Sequence, residues 1–202
     1  MELLTDIQFF PPVSFYKSLS GFSNIIFEQY EHYQKMSFRN RMVIANANGR
    51  SVLSVPLVHG RDQKKIMKDV RIADHQPWQS QHWKSLESAY GRSPFFEFYR
   101  DELGALYQKP FLFLLDWNLH CFEWTMKVLK LKPEVSLTHT YSTDYDPSIF
   151  LDRRNRILPK NYLEFETPKY HQVFEEKFGF LPNLSILDLI FCEGKRGGVL
   201  LS

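Results

Sequence analysis

A cluster of basic residues in the first quarter of the chain is a candidate for binding chemistry. Residues 33–41 read YQKMSFRNR and contain Lys35, Arg39 and Arg41, and no Asp or Glu occurs from position 32 to position 61. The guanidinium group of arginine binds carboxylate and phosphate oxygens through two parallel hydrogen bonds. The sequence therefore predicts a rim that binds an anionic small-molecule substrate at one end of a sheet.

Two interpretations of this basic cluster are open. In one, Asn40 adds an orienting hydrogen bond to an anion that the cluster holds. In the other, the basic side chains only border a hairpin, keep an edge strand from pairing with another chain, and bind nothing. Charge reversal at these positions would weaken ligand binding only in the first interpretation.

A second candidate group follows a predicted strand, in the segment PLVHGRDQKKIMKDV. His59 and Arg61 come directly after apolar strand residues, and Asp69 follows in the same segment. Loops that leave strand ends often carry functional groups. Since imidazole titrates near neutral pH, His59 is a candidate acid or base, Asp69 a group that orients a histidine or binds an ammonium, and Arg61 a substrate-binding residue. The alternative is a half-exposed polar loop without a chemical role.

The third group lies on two predicted helices. A spacing of four residues places His82 on one stripe with Trp78 and Leu86. His82 is either a buried histidine satisfied by a backbone carbonyl or Tyr90, or a catalytic base in an aromatic pocket, tuned by burial and a nearby carboxylate. Asn118 either bridges core elements or reaches into the same pocket. Tyr90 and Asn118 are therefore candidate substrate-binding residues.

Composition narrows the class of protein. The 202 residues are 44% hydrophobic and carry a net charge of +2, which fits one domain over residues 1–202 and argues against a strongly basic nucleic-acid binder. No apolar run is long enough to span a membrane, and Glu2 and Asp6 lie where a secretory signal carries positive charge, so we expect a cytoplasmic protein. Cys121 and Cys192 lack metal-ligand spacing and are expected to be core thiols.

Motifs that are diagnostic of an enzyme class are missing. The sequence contains no GxGxxG, GxxxxGK[ST], GxSxG or HExxH motif and no pair of CxxC elements. It therefore identifies neither a cofactor nor a metal, and no motif indicates the reaction.

The predicted elements follow the order strand, helix, hairpin, helices, strand and helix. Strands are predicted in LLTDIQFF, NIIFEQYEHY, EVSLTHTY and DVRI, and the arginine-rich DRRNR is predicted to be a loop. Asn48-Gly49, between two apolar arms, predicts a hairpin with a type I′ turn. The result is an α/β fold, with a mixed sheet whose N-terminal strand-helix-hairpin region is covered by a central block of helices.

Capping residues predict where two of the helices begin. Asp74 is expected to cap a helix that has Pro77 in its first turn. Asn183 is expected to cap the last helix, which ends at Gly194.

Seven phrases of the sequence together resemble the WbqC-like protein family. They are, in chain order, FFPPVSFYKSL, YQKMSFRNR, VPLVHGR, KDVRI, QHWKSLESAYGRSPFFEFY, LLDWN and KFGFLPNLSILDLIFCEG. The polar positions that carry the resemblance are Lys35, Asn40, Arg41, His59, Asp69, His82, Tyr90 and Asn118. The family is similar to proteins of bacterial O-antigen and surface-polysaccharide assembly. The resemblance therefore implies a cytoplasmic step on an activated sugar, such as transfer of glycine or another acyl unit to an amino sugar.

Two functional hypotheses follow. The first is a transferase that acts on a nucleotide-activated amino sugar, with His82 or His59 as the base, Asp69 orienting it, and Asn40 or Asn118 stabilising the oxyanion. The second is a non-catalytic scaffold of the same pathway, whose basic rim binds a nucleotide sugar, an acyl-carrier protein or an enzyme. Binding of single-stranded nucleic acid is the least favoured alternative. The first hypothesis requires that folding gathers the basic and imidazole groups around one hollow.

Overall fold

The computed structural model describes residues 1–60 and 64–202. Its strands are β1 (Glu2–Asp6), β2 (Asn24–Glu28), β3 (Arg41–Asn46), β4 (Gly49–Ser54), β5 (Glu134–Leu137) and β6 (Phe150–Asp152). Its α-helices are α1 (Val13–Leu19), α2 (Trp78–Tyr90), α3 (Phe96–Gln108), α4 (Leu114–Leu129), α5 (Glu175–Phe178), α6 (Ile186–Glu193) and α7 (Gly197–Leu200). The α/β fold class and the helical middle of the chain are confirmed.

Strand β1 lies inside a four-stranded parallel sheet with the order β5-β2-β1-β6. Leu3 pairs with Ile25 of β2 on one side and with Leu151 of β6 on the other. Both Leu3 and Leu4 are 0% exposed, so β1 is covered on its two faces, as is typical of parallel sheets between helices. The predicted strands at the N-terminus, at NIIFEQYEHY and at EVSLTHTY are confirmed, whereas β6 was not predicted.

The hairpin β3-β4 forms a separate two-stranded antiparallel sheet. Its arms close where Asn46 pairs with Gly49, so Ala47 and Asn48 form the turn. Gly49 has a φ of 101°, whereas Asn48 is not among the residues with positive φ. The hairpin is therefore confirmed, but the predicted type I′ turn is wrong. The Oδ1 atom of Asn46 accepts a hydrogen bond from the Asn48 backbone (2.8 Å), which favours this different turn.

Aromatic contacts join the helices to the parallel sheet. The Phe122 ring of α4 lies 6.0 Å from the Tyr16 ring of α1 and 4.9 Å from the Phe27 ring of β2. Cys121 and Cys192 are buried and unpaired, as expected, and burial raises the pKa of both thiols. Within the described residues, no helix has the length and apolar composition that crossing a bilayer requires.

Two local predictions around residues 66–78 are wrong. The segment DVRI is not a strand, since Asp69 ends a short 3-10 helix and Arg71 and Ile72 form only isolated bridges. Pro77 immediately precedes α2, where no side chain caps the helix, so Asp74 does not have the expected role. Asp74 comes three positions before Pro77, which occupies the capping position of this helix.

The cap of α6 is also shifted from the prediction. Ser185 caps this helix by accepting a hydrogen bond from the Leu187 backbone at 3.3 Å. The predicted cap, Asn183, is 0% exposed and instead accepts from the Ser14 backbone at 3.1 Å. Its Nδ2 atom donates to the carbonyl groups of two residues, Tyr162 (2.7 Å) and Phe165 (2.6 Å). Asn183 therefore joins three distant segments rather than starting a helix.

Candidate functional site

Charged side chains are buried at the carboxyl edge of the parallel sheet. Asp6, Glu28 and Asp152 are the last residues of β1, β2 and β6. Because the strands are parallel, their carboxyl ends meet at one edge, where open α/β sheets bind ligands. Asp6 is 1% exposed and Glu28 is 0% exposed. Carboxylates at this depth need cationic or hydrogen-bonding partners.

Arg39 supplies the positive charge at the centre of this edge. Its guanidinium group is fully buried and forms an ion pair with Oε1 of Glu31. The same Nη2 atom lies 3.9 Å from Oδ2 of Asp6 and donates to Oδ1 of Asn155 at 3.1 Å. One guanidinium therefore serves two carboxylates.

Asn155 joins the three charged groups that surround it. Its backbone N–H donates to Asp6 at 2.9 Å, and its Nδ2 atom donates to Oε2 of Glu31 at 3.1 Å. With its contact to Arg39, this residue touches every member of the ion-pair network. Its φ is 55°, a conformation that asparagine adopts more readily than most residues.

Glu28 forms a second half of the site beside this network. Its Oε1 atom accepts from the Tyr30 backbone (2.7 Å) and from the Thr138 hydroxyl (2.8 Å). Its Oε2 atom lies 3.4 Å from both Tyr145 Oη and Arg154 Nη1. Glu28 is therefore tied to the long connection between β5 and β6.

Arg154 is the cationic partner of Glu28. It forms hydrogen bonds with Asp152, including Nη2 to Oδ2 at 2.5 Å. Its guanidinium lies 5.0 Å from the Tyr145 ring and 5.6 Å from the Tyr141 ring, within the range of cation–π attraction. We call Asp6, Glu28, Glu31, Arg39, Asp152, Arg154 and Asn155 the edge cluster.

Carboxylates outnumber guanidinium groups in the edge cluster. Its four acidic residues face two arginines, so the cluster is net negative when every acidic group is ionised. Burial raises the pKa of Glu31, and Asp6 raises it further, although Arg39 and the hydrogen bond from Asn155 lower it. Glu31 therefore holds a proton at a higher pH than an exposed carboxyl does. Shifted pKa values of this kind are more frequent at functional sites than elsewhere.

Two donor groups of Arg39 remain unused. Its Nε and Nη1 atoms are buried and have no hydrogen-bond partner among the residues that the structure describes. Buried guanidinium donors interact with a negative charge more strongly than donors in water do. The edge cluster thus contains a carboxyl that can accept a proton and an arginine with donors for a developing negative charge.

Three predicted site residues attach the hairpin to the rest of the fold. Asn118 of α4 donates to the Arg39 carbonyl at 2.8 Å, and His82 of α2 lies 3.2 Å from the Ser54 carbonyl through Nε2. The Tyr90 hydroxyl accepts from the Ala45 backbone at 3.1 Å. Each contact satisfies a backbone group of the hairpin or, for Asn118, of Arg39, two residues before β3. For His82 and Asn118 these contacts are of the kind that the structural alternative describes.

The surroundings of His82 make it a weak base. Burial lowers its pKa to about 4, only partly offset by the hydrogen bond to Ser54. Its ring packs against aromatic rings, including those of Phe9 at 5.9 Å and Trp78 at 5.1 Å. Within the described chain, no acidic group contributes to this pKa shift, so the expected nearby carboxylate is missing. His82 is neutral at physiological pH and donates from Nε2.

The predicted basic rim is divided between buried and exposed positions. Arg39 is in the edge cluster, whereas Lys35 is exposed. Arg41 is half-buried, and its Nη1 atom lies 3.7 Å from the Met36 sulfur. Asn40 accepts from the Tyr33 hydroxyl at 2.8 Å and donates to the Val55 carbonyl at 2.9 Å. Its amide is thus bound to protein groups.

The predicted loop residues lie on the surface. His59 has a φ of 67° and lines an open hollow of about 580 Å³ together with His75. Asp69 is exposed on the 3-10 helix, and Arg61 lies outside the described residues. None of Lys35, Arg41 and His82 lines that hollow, so the larger cavities of the described chain do not gather these groups as expected.

Sequence reasoning missed most of the edge cluster. Asp6 and Glu28 sit at strand ends, and the Arg154-Asn155 pair lies in the segment read as a plain loop. A signal was present, since acidic residues that end two successive buried strands of a parallel sheet must meet at its edge. Glu31, the ion-pair partner of Arg39, lies eight positions from it in the sequence, which helix and strand periodicities do not link.

Most of the chain matches the sequence profile of a known protein family. The sequence profile of the WbqC-like protein family matches residues 7–158. The chain belongs to the WbqC-like family. The matched range includes the whole edge cluster except Asp6, which directly precedes it. No curated protein and no solved structure matches this WbqC-like chain.

Side chains that could hold a metal ion are not grouped in the part of this WbqC-like chain that the structure describes. Among residues 1–60 and 64–202, no three His, Cys, Asp or Glu side chains are placed to hold a metal ion. Hydrogen bonds and guanidinium groups satisfy the carboxylates of the edge cluster instead.

Replacing Asn118 by leucine tests the structural role of this residue. We expect a loss of about 1–2 kcal/mol in the free energy of unfolding, because the Arg39 carbonyl loses its buried donor. Urea denaturation followed by circular dichroism measures the loss. The control Gln81→Leu, at an exposed position of α2, should change stability by less than about 0.5 kcal/mol. An Asn118→Leu variant as stable as the control would contradict the structural role.

Proposed function

We propose that this WbqC-like protein is a transferase that places an acyl or aminoacyl group on the amine of an activated amino sugar. The observation that carries the proposal is the buried contact of Glu31 with Arg39 at the carboxyl edge of the sheet. This edge offers surplus negative charge for an ammonium group and unused guanidinium donors for an oxyanion.

In the proposed reaction the substrate amine attacks the carbonyl carbon of an activated acyl donor, an ester or thioester. A carbon–nitrogen bond forms, and the carbonyl electron pair moves to oxygen, where Nε and Nη1 of Arg39 donate hydrogen bonds. Glu31 accepts the proton that the nitrogen loses. Collapse of the tetrahedral intermediate breaks the bond to the leaving alcohol or thiol, which takes the proton back from Glu31.

The other candidate residues keep peripheral roles in this proposal. Lys35 and Arg41 contribute positive charge on the side from which an anionic substrate approaches. His59 and Asp69 are both exposed, so in this proposal they contact the donor or its carrier rather than the reacting amine. The proposal moves the base from His82 to Glu31, because the imidazole is held neutral among aromatic rings.

The pathway and partners rest on the family resemblance. They are bacterial O-antigen or other surface-polysaccharide assembly, a cytoplasmic nucleotide-activated sugar as the substrate, and an acyl-carrier protein as a partner. The net charge of +2 supports a small anionic substrate over a nucleic acid, which would require a more basic surface.

A non-catalytic binding protein is the second candidate. The observation that favours it is the complete burial of Arg39, which is also what a purely structural ion-pair network would show. Such a scaffold would bind a nucleotide sugar or carrier protein through Lys35 and Arg41. It would need neither Glu31 nor an activated donor for its function.

The decisive experiment compares Glu31→Gln with the wild-type protein. Mixtures of UDP-linked amino sugars with thioesters of coenzyme A or acyl-carrier protein are incubated with enzyme, and the acylated nucleotide sugar is detected by mass spectrometry. We expect the wild type to form this product and Glu31→Gln to be at least about 100-fold slower, because the amide cannot accept the proton.

Two further variants serve as controls for the assignment of Glu31 as the base. Glu164→Gln, at an exposed position, and His82→Gln, whose amide can still donate to the Ser54 carbonyl, should retain the wild-type rate. A Glu31→Gln variant as active as Glu164→Gln would refute the proposed base. Loss of turnover in His82→Gln with folding intact would restore His82 to that role.

A further inference from the structure

A narrow slot lies between the carboxyl ends of β1 and β6, next to the edge cluster. Its walls include Thr5, Gln8, Ser18, Arg153 and Arg156. The chain passes from β1 to β2 to β5 in one direction and then returns to place β6 on the other side of β1. The slot is therefore at the point where strand order reverses, which is where open α/β sheets hold their ligands.

Two arginines face this slot without a carboxylate partner. Nη1 of Arg153 donates to the Ser18 carbonyl at 2.5 Å, and its guanidinium lies 5.3 Å from the Phe22 ring. Arg156 is exposed, with its guanidinium 5.7 Å from the Phe165 ring. Among the described residues, neither arginine forms an ion pair, and Nε of Arg153 is buried without a partner. Their positive charges therefore remain available.

The two guanidinium groups also repel each other. Burial lowers the pKa of Arg153, and the charge of Arg156 lowers it further. An anion between them would relieve this repulsion and use the free Nε donor, since guanidinium groups match phosphate oxygens in a bidentate manner. The positive charges that face the slot are therefore not neutralised by an acidic group of the described residues.

Asp6, the acidic residue that lines the slot, does not neutralise these arginines because its carboxylate oxygens already have other partners. Asp6 accepts from the Asn155 backbone through Oδ1 and from Gln8 Nε2 through Oδ2, and it also faces Arg39. Gln8 is 2% exposed, and its Oε1 atom has no hydrogen-bond partner in the described part of the chain. An acceptor beside two arginines fits a ligand that carries a hydroxyl group next to its anionic group.

We propose that Arg153 and Arg156 bind the diphosphate group of the substrate. The proposal rests on the proposed function for the choice of an activated sugar, but the slot itself is defined by charge and topology. It places the diphosphate at the β1–β6 crevice, which Asp6 also lines. The amino sugar then extends past Asn155 toward Glu31.

Arg156 is the movable wall of the slot. The cavity holds about 10 Å³, room for one water molecule, so a diphosphate must displace a side chain. Arg156 is exposed, and rotamer changes of this kind are common when ligands bind. Its guanidinium can turn onto the ligand without disturbing the sheet.

Ligand-induced stabilisation of the full chain tests the proposal. Inorganic pyrophosphate, UDP and geranyl diphosphate are added separately, and the thermal midpoint is measured at a fixed salt concentration. We expect stabilisation of the wild type, and an affinity at least about 10-fold lower in Arg156→Gln because a charge-assisted hydrogen bond is lost. The matched control Arg92→Gln, exposed and outside the slot, should keep the wild-type affinity within about two-fold.

Comparing the three ligands identifies the kind of diphosphate that binds, and comparing the variants tests whether the two arginines bind it. Tighter binding of UDP than of pyrophosphate supports a nucleotide diphosphate, and tighter binding of geranyl diphosphate supports a lipid carrier. No stabilisation by any of the three, equal loss in Arg92→Gln, or unchanged affinity in both Arg156→Gln and Arg153→Gln would overturn the site. Glu31→Gln should still bind diphosphate, so loss of its turnover with binding intact separates this proposal from the proposed function.

Discussion

Replacing Arg39 by methionine is expected to destabilise the fold by about 3–5 kcal/mol, more than any other single change at the edge cluster. Methionine fills much of the same space but removes the positive charge from between Asp6 and Glu31. Both carboxylates would then be buried without a cation, and the Oδ1 atom of Asn155 would lose a donor. Urea denaturation at neutral pH measures the loss.

Controls for the Arg39 prediction come from an exposed ion pair and from pH. Arg100 pairs with Glu87 at 2.8 Å, but its side chain is 45% exposed, so Arg100→Met should cost less than about 1 kcal/mol. The defect of Arg39→Met should shrink in acid, because protonation removes the uncompensated charges of the two carboxylates. Equal effects of the two substitutions would show that the buried ion pair contributes nothing special.

Substitutions of Asp188 and of His82 should change the free energy of unfolding, relative to the wild type, in opposite directions as the pH falls. Burial raises the pKa of Asp188 to about 6, although hydrogen bonds from Tyr170, Tyr90 and Gln172 lower it, and burial lowers the pKa of His82 to about 4. The folded state therefore keeps a proton on Asp188 that the unfolded chain releases. Between about pH 4 and pH 6.5 the folded state also keeps His82 neutral, whereas the unfolded chain binds a proton there.

The two groups act in opposite directions over nearly the same range of pH. Stability from the protonated Asp188 is complete below about pH 4 and is lost as the pH rises through about 6. Stability from the neutral His82 is complete above about pH 6.5 and is lost as the pH falls through about 4. Each group changes the free energy of unfolding by roughly 3 kcal/mol across its range of pH. Since the two changes have opposite signs, they largely cancel in the wild type.

Single substitutions should expose each contribution. Asp188→Asn removes the acidic group, so its stability is expected to fall by roughly 3 kcal/mol relative to wild type on going from pH 8 to pH 4. His82→Gln should show the opposite trend and gain relative to wild type over the same interval. Urea denaturation at several pH values measures both. Parallel pH profiles for the wild type and the two variants would rule out this pair of titrations.

The regular elements were predictable because their signals are local. Asn48-Gly49 marked the hairpin through backbone preferences alone, and the spacing of Trp78, His82 and Leu86 correctly placed the imidazole on a buried stripe. The turn geometry was missed because the Asn46 side chain bonds the Asn48 backbone. A pattern of residue types does not include such a competing contact.

The candidate site was less predictable because its contacts are long-range. Arg39 was predicted to bind an anion, since no acidic residue lies between positions 32 and 61, yet its partners include Asp6 at the end of β1 and Asn155 after β6. His82 was correctly expected to need a partner, but whether that partner is a carbonyl or a carboxylate depends on how α2 meets the hairpin. Strand order and register, which local patterns do not specify, decide these contacts.

The central position of β1 has a consequence for biosynthesis. This strand leaves the ribosome before its neighbour β6, which follows about 150 residues later in the chain. Asn155 must also arrive before Asp6 has all its partners. Until then one edge of the nascent strand stays open, and acidic groups that will be buried remain hydrated. Such distant pairing slows folding and gives chaperones a long interval in which to bind. A nascent chain stalled before β6 should therefore be far more sensitive to protease than the released protein.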